Sequence, residues 1–344
     1  MGITIDVGSG EFVPGLINAH DHLYRNHYPR LGSPPYANAY QWGEDIHARY
    51  GEEIQRARAF PRGQAMLFSA LKNLLGAVTT VVHHDRWECT LARRSFPLRV
   101  VRLRVAHSLR RERDFDAAVA GDEVTAAQPL SIHLAEGVDD ESSAEVHEAD
   151  RRGLLGHNLL AVHLVGVDQH GISRLEDTNT AVVWCPTSNR FLFGRTAPEA
   201  LLRSEVDVLI GTDALVSADG TMLAELREAR RLGYLNDGRL RESVGATAAR
   251  RLRIPLPTLA PGGRADVVFL RRPPFEANPA DVALVLVAGK PRLADEDLQE
   301  LFTLCGIPFE LLRLRFTKAV AAPLATVAMQ VFDQFPECQR ILDS

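Results

Sequence analysis

At 344 residues the chain is long enough to bury a large core, as one big domain with a minor lobe or as two domains. Apolar residues make up 46% of it and charged residues 24%, the ordinary balance of a soluble globular protein. A net charge of -5 gives no reason to expect a polyanion such as DNA as partner.

In chain order, short β-rich runs alternate with helical ones, the pattern of βα units around a parallel sheet. Strands are predicted over 12–18, 77–83, 98–106, 130–134, 159–164, 180–185 and 206–211. Amphipathic helices are predicted over 62–75, 141–152 and 221–232, where apolar residues recur at helical spacing, with Gly76, Gly153, Pro186 and Gly211 marking joins. These strands number seven where a (β/α)8 barrel has eight, and the gap between VVRLRVAHSL and LSIHLAEG reads mainly as helix. The expected fold is an α/β TIM-like barrel over residues 11–255 with one strand degenerate or hidden. The β-branched alternating runs PGGRADVVFL and ADVALVLVAGKPRL suit a small β-sandwich lobe built from 1–10 and 256–293. Residues 294–344 are helical in pattern, a C-terminal extension suited to core cover or to a homodimer contact.

Several chemistry-bearing residues stand where apolar runs end. In a parallel barrel such ends gather round one mouth. His20 and His22 in VPGLINAHDHL are separated by one residue, so both point the same way from a strand while Asp21 faces the opposite side. Taken alone such a pair is weak, and two histidines closing a strand is the blander reading. His133 ends LSIHL, and Glu136 follows three residues later, placed either to bend over a metal site and carry protons or to cap a helix in an acidic loop. His163 ends LLAVHL, where a satisfied core histidine is the alternative to a functional one. Asp213 in VLIGTDAL is a carboxylate at a buried strand end, a position that demands a positive or well hydrogen-bonded partner. Imidazoles with a carboxylate suit one divalent ion, Zn²⁺ first and Fe²⁺ as the alternative. His83, His84 and His107 fall at strand ends on the same side, where they can line a substrate pocket or serve in barrel-top hydrogen-bond networks. No GxSxG, Walker A or GxGxxG motif is present.

The ordered stretches VPGLINAHDHL, GAVTTVVHHD, IHLAEG, VHLVGVD, VVWCPTSNRFL, LIGTDAL with LAELREAR, and LAPGGRADVVFL resemble the amidohydrolase superfamily. Within it they are similar to the metal-dependent aminohydrolase branch of cytosine deaminases and chlorohydrolases, over residues 12 to about 291. The resemblance implies metal ligation by His20, His22, His133 and Asp213, a proton-shuttle role for Glu136, and a role for His163 in orienting water or substrate. Asp213 would also accept a proton from the water. It places Ser188 and Asn189 of PTSN near the site, with Asn189 and Arg190 as candidate substrate contacts. The binuclear members use a carbamylated lysine on the fourth strand; the only lysines here are Lys72, Lys290 and Lys318, and a single ion is expected. The span from His22 to His133 is shorter than is usual in this branch.

The function expected is hydrolytic deamination of an amino-substituted nitrogen heterocycle by metal-activated water. Hydrolysis of an amide, a cyclic ureide or a halogenated ring is the alternative on the same residues, and an inactive scaffold homologue the distant one. Four scattered cysteines without a CxxC pair read as free thiols, and MGITIDVGSG lacks the features of a secretory signal. No apolar run approaches the ~20 residues that cross a bilayer. The expectation is a cytoplasmic enzyme with a small-molecule substrate, no membrane and no nucleic acid polymer.

Overall fold

The run at 12–18, expected as one strand, is divided by Gly15 into β1 (Glu11–Pro14) and β2 (Leu16–Asp21), which serve different sheets. Only glycine fits there, because a Cβ would lie 2.1 Å from Thr79 Oγ1. The computed structural model describes residues 5–344.

β2 begins the parallel part of the molecule. It pairs with β3 (Val78–His83), which pairs with β4 (Arg99–Val101). A second parallel sheet runs in order through β5 (Arg104–Ser108), β6 (Leu130–Leu134), β7 (Leu159–His163), β8 (Ala181–Trp184) and β9 (Val208–Ile210). β4 and β5 are the two halves of the run expected at 98–106, broken at Arg102 and Leu103. Parallel runs therefore number seven. Residues 109–129 hold one short helix, Phe115–Ala120, and no further strand. Among the described residues the ladders form two sheets and do not close into a barrel, which differs from the expectation. Past their ends β9 and β2 nevertheless meet: the Thr212 and Asp213 amides both donate to the His20 carbonyl, at 3.0 and 3.1 Å.

The flanking lobe is one six-stranded antiparallel sheet in the order β1, β10 (Val267–Leu270), β11 (Val282–Val287), β12 (Lys290–Asp295), β14 (Thr317–Ala321), β13 (Phe309–Arg313). The sequence placed the N-terminal contribution at 1–10. Residues 5–10 form no strand, residues 1–4 lie outside the described part, and β1 supplies the contribution instead. The extension 294–344, expected as helical, gives two strands to this sheet as well as the helices Glu300–Leu304 and Leu324–Gln334. Leu and Glu favour helix, but β12 offers β14 an unpaired edge, and tertiary pairing overrides weak local preference. No described helix is long and apolar enough to cross a membrane.

The helix Arg62–Leu75 ties the parts together. Its outer side packs against Leu324–Gln334, with Phe68 and Phe332 edge-on at 5.7 Å. Its inner side carries Lys72, fully buried, with Nζ 3.1 Å from Asp21 Oδ2 and 3.0 Å from both Asn26 Oδ1 and Thr212 Oγ1. The Asn73 and Asn26 side chains donate to the two Asp21 oxygens, each at 2.7 Å. Removing one partner of a buried pair leaves the other charge uncompensated. Lys72→Met is therefore expected to lower unfolding free energy by about 3–5 kcal/mol in urea titration; a loss below about 1 kcal/mol would show that Asp21 does not need the ammonium.

Candidate metal centre and active site

The ends of β2, β6, β7 and β9 converge on one buried cluster. His20 and His22 project from β2, since residues two apart share a face. His133 comes from β6, His163 closes β7, and Asp213 follows β9. The Nε2 atoms of His20 and His133 are 3.3 Å apart. Asp213 Oδ1 lies 3.7 Å from His20 Nε2 and 3.5 Å from His22 Nε2. Ligand atoms of His20, His22 and Asp213 fall within 4.8 Å of one another, as do those of His20, His133 and His163. Three of the strand ends turn through left-handed backbone at non-glycine residues: Ala135 (φ 48°), His163 (φ 77°) and Asp213 (φ 52°). Each such turn costs roughly 1–2 kcal/mol, and such strain clusters at functional sites.

The far nitrogens decide the chemistry of the near ones. His22 Nδ1 meets Asp85 Oδ2 at 2.7 Å, His133 Nδ1 the His107 carbonyl at 2.5 Å, and His163 Nδ1 Asn189 Oδ1 at 2.8 Å. A carboxylate or carbonyl oxygen only accepts, so each Nδ1 carries the proton and each Nε2 presents a bare lone pair. Asp213 Oδ2 accepts from Ser188 Oγ (2.6 Å) and Ser217 Oγ (2.8 Å), which turns Oδ1 toward the histidines. Lone pairs and a carboxylate oxygen facing one another repel unless a cation stands between them. Burial, with His22 beside it, lowers His20 to about 4, and burial with His84 and His20 nearby holds His133 well below 6.5, so neither ring supplies that charge by protonation. The donor set fits a divalent metal ion, and carboxylate or carbonyl partners on the distal nitrogens are what such ligands need.

Burial alone would raise the Asp213 carboxyl, but the imidazoles gathered round it hold it well below its usual range, and two serine hydroxyls donate to its Oδ2. Glu136 moves oppositely. Burial, reinforced by Asp213 and Glu145 and opposed by His163, lifts it to about 7. Its Oε1 is 3.5 Å from His163 Nε2. These groups form the floor of a cavity of about 480 Å³ whose walls include Tyr28, Tyr40, Trp42 and Phe60.

Of the candidate substrate contacts, His107 lines this cavity and also accepts from His133 through its carbonyl. The others do not line it. His83 is buried beside Tyr24, its Nδ1 accepting from the Leu23 amide at 3.3 Å. His84 packs between His20 and His133 with both nitrogens engaged, by Ser131 Oγ and the Ala106 carbonyl. Asn189 is fully buried and positions His163. Arg190 is exposed and pairs with Glu228 at 2.6 Å, because the helix Pro186–Phe193 turns it outward. Sequence reasoning missed Asp85 and Ser217. The first was within reach, since Asp85 follows His83 and His84 just past a strand end; nothing local marks Ser217.

No family model matches the sequence. The chain is 26% identical, over 321 residues, to 5-methylthioadenosine/S-adenosylhomocysteine deaminase of Haloarcula marismortui, covering 77% of this chain and 74% of that protein. Matches to further curated relatives take in less than half of those proteins' length, 45% and 48%. In structure it is similar to an adenosine deaminase from Xanthomonas campestris with bound zinc, at a TM-score of 0.64 and 18% identity over 94% of this chain and 86% of that one. It is also similar to an amidohydrolase from a Sargasso Sea sample, at a TM-score of 0.59 and 20% identity over 83% and 80%. What these two solved structures share with the chain is the fold.

Asp85 gives this centre a direct test. Asp85→Ala frees His22 Nδ1, and Zn²⁺ affinity measured by chelator competition is expected to fall about 10- to 100-fold with the circular dichroism spectrum retained. Unchanged affinity would remove Asp85 from the support of the site.

Proposed function

We propose that this protein hydrolytically deaminates an amino-substituted nitrogen heterocycle of the aminopurine kind. The observation that carries the proposal is Glu136, a buried carboxyl titrating near neutrality at the cavity floor beside the gathered imidazoles and Asp213. In this reading His20, His22, His133 and Asp213 hold a single divalent ion, Zn²⁺ first and Fe²⁺ as the alternative. Such an ion supplies Lewis acidity that brings the pKa of water toward neutrality. The two parallel sheets are read as a seven-stranded derivative of the (β/α)8 barrel, with the site at the carboxyl ends of its strands.

The chain's own groups then divide the proton work. Ionised Glu136 takes a proton from the attacking water and returns it to the ring nitrogen. The second water proton follows the same route to the amine, so the C–N bond breaks and ammonia leaves while a C=O remains. His163, held by Asn189, keeps its bare Nε2 toward Glu136, where it can accept from that carboxyl once Glu136 has taken the proton. Asp213, ionised and fixed by two serine hydroxyls, accepts a hydrogen bond from the nucleophile. The similarity to the Haloarcula deaminase and to the zinc-bound Xanthomonas deaminase favours adenosine-like rings.

Screening aminopurines, aminopyrimidines, triazines and cyclic ureides for ammonia release tests the reading, and ammonia from an aminopurine is expected. Ureide opening without deamination would replace it by the alternative hydrolysis. Glu136→Gln is expected to keep a stoichiometric metal while turnover drops about 10²- to 10⁴-fold; normal turnover in that variant would end the shuttle role. The sign of the pH effect also follows. Glu136 must be ionised to accept the first proton, so kcat/KM should fall as the pH drops through about 7. A profile flat across that value would place the proton elsewhere.

A further inference from the structure

Beyond the reacting ring, the cavity gathers positive charge along one wall. Arg25, Arg58 and Arg62 all line it. Arg25 and Arg62 flank the Tyr24 ring, their guanidinium carbons 5.1 and 4.2 Å from its centroid. Tyr28 lines the same wall; burial raises its phenol, and Arg25, Arg58 and Arg62 all oppose that shift. Arg58 and Arg62 are exposed and Arg25 is partly buried, so the guanidinium groups stand open to a ligand entering the cavity.

The anions present match two of the three. Arg62 pairs with Glu88 at 2.7 Å. Arg25 donates to the Tyr24 hydroxyl at 2.8 Å, and that hydroxyl donates to Asp85 at 2.8 Å. Arg58 has a neutral neighbour instead. Its Nη2 lies 3.2 Å from His47 Nε2, while His47 Nδ1 donates to the Gly43 carbonyl at 2.7 Å. Among the described residues Arg58 forms no ion pair. The remaining acids are committed too. Asp85 holds His22, and Glu145 accepts from the Tyr40 hydroxyl (2.6 Å) and the Ala135 amide (2.9 Å). This wall therefore has guanidinium donors to spare and no free carboxylate for an ammonium. The cavity, at about 480 Å³, suits a ligand of drug size, larger than a bare heterocycle.

We infer that the substrate carries a wholly anionic substituent, a phosphate or a carboxylate with no ammonium beside it, seated against Arg58, Arg25 and the Tyr28 hydroxyl with Arg62 at the rim. The inference rests on the deaminase reading for the ring at the other end of the ligand. Guanidinium groups bind such oxyanions through paired hydrogen bonds, a geometry that a lone ammonium does not reproduce.

Calorimetry on the metal-loaded Glu136→Gln protein, with adenosine, adenosine 5′-monophosphate, adenosine-5′-carboxylic acid and zwitterionic S-adenosylhomocysteine, tests it. At least one of the two anions is expected to bind about tenfold or more tightly than adenosine and than the zwitterion. The better anion identifies phosphate or carboxylate as the group. Arg58 is exposed, so Arg58→Gln in the same background should fold, and it should cut the anion preference to about threefold or less. If neither anion outbinds adenosine, or the zwitterion binds best, the inference is overturned. Ammonia release by the unsubstituted protein separates the two readings. Anion preference without ammonia from any of the four ligands would sink deamination and leave the subsite. Ammonia from adenosine without anion preference would do the reverse.

Discussion

The buried pairing of Asp21 with Lys72 is the constraint on which the rest of the site depends. A strand that sends His20 and His22 to one side must send the residue between them to the other, and that residue is a carboxylate in the interior. Its match comes from the helix Arg62–Leu75, whose Lys72 also donates to Asn26 and Thr212. Thr212 immediately precedes Asp213. One ammonium thus links the strand that carries two imidazoles to the loop that carries the carboxylate, with Asn18 and Asn73 filling the remaining contacts. The register between β2 and β9 is secured by this polar cluster and by the two amides on the His20 carbonyl, in place of a strand ladder.

On the opposite face of β2 the logic is reversed. There the chain removes positive charge: burial keeps His20 and His133 neutral, and oxygen acceptors behind His22, His133 and His163 fix which nitrogen faces inward. The result is a concentration of lone pairs that accounts for a cation's place. Glu136 stands just outside, where burial moves it toward neutrality as Asp213 is held ionised. The two carboxyls therefore differ in protonation because Asp213 has serine hydroxyl donors and stands among the imidazoles at the cation's place, whereas Glu136 has mainly desolvation.

Positive charge reappears on the outer wall, in part on the segment that follows the two histidines. Tyr24, Arg25 and Tyr28 come within six residues of His22, and Arg58 and Arg62 reach the same place from the helix Gly51–Ala59 and the start of Arg62–Leu75. The centre and the wall share a residue: Asp85 holds His22 through one oxygen and, through the other, accepts from the Tyr24 hydroxyl that meets Arg25. A change in the wall is thereby felt by a first imidazole of the centre.

Much of this was written locally. The period of two gives His20 and His22 one direction, and short apolar runs ending in His133, His163 and Asp213 name their own strand ends. The helix Arg62–Leu75 was legible to its last residue from helical spacing and Gly76. Other features depend on contacts between distant segments and had no local mark. Gly15 splits one apolar run because Thr79 fills the space beside it, and 309–321 becomes two strands because β12 presents an edge. Arg190 looked like a site residue, yet the turn after β8 points it at Glu228 while its neighbour Asn189 reaches His163. The sequence by itself determined which side chains end the strands, because alternation and burial are properties of short segments. Only the tertiary structure decided which atoms meet, which nitrogens are bare and where charge is left unmatched, because those follow from packing residues far apart in the chain.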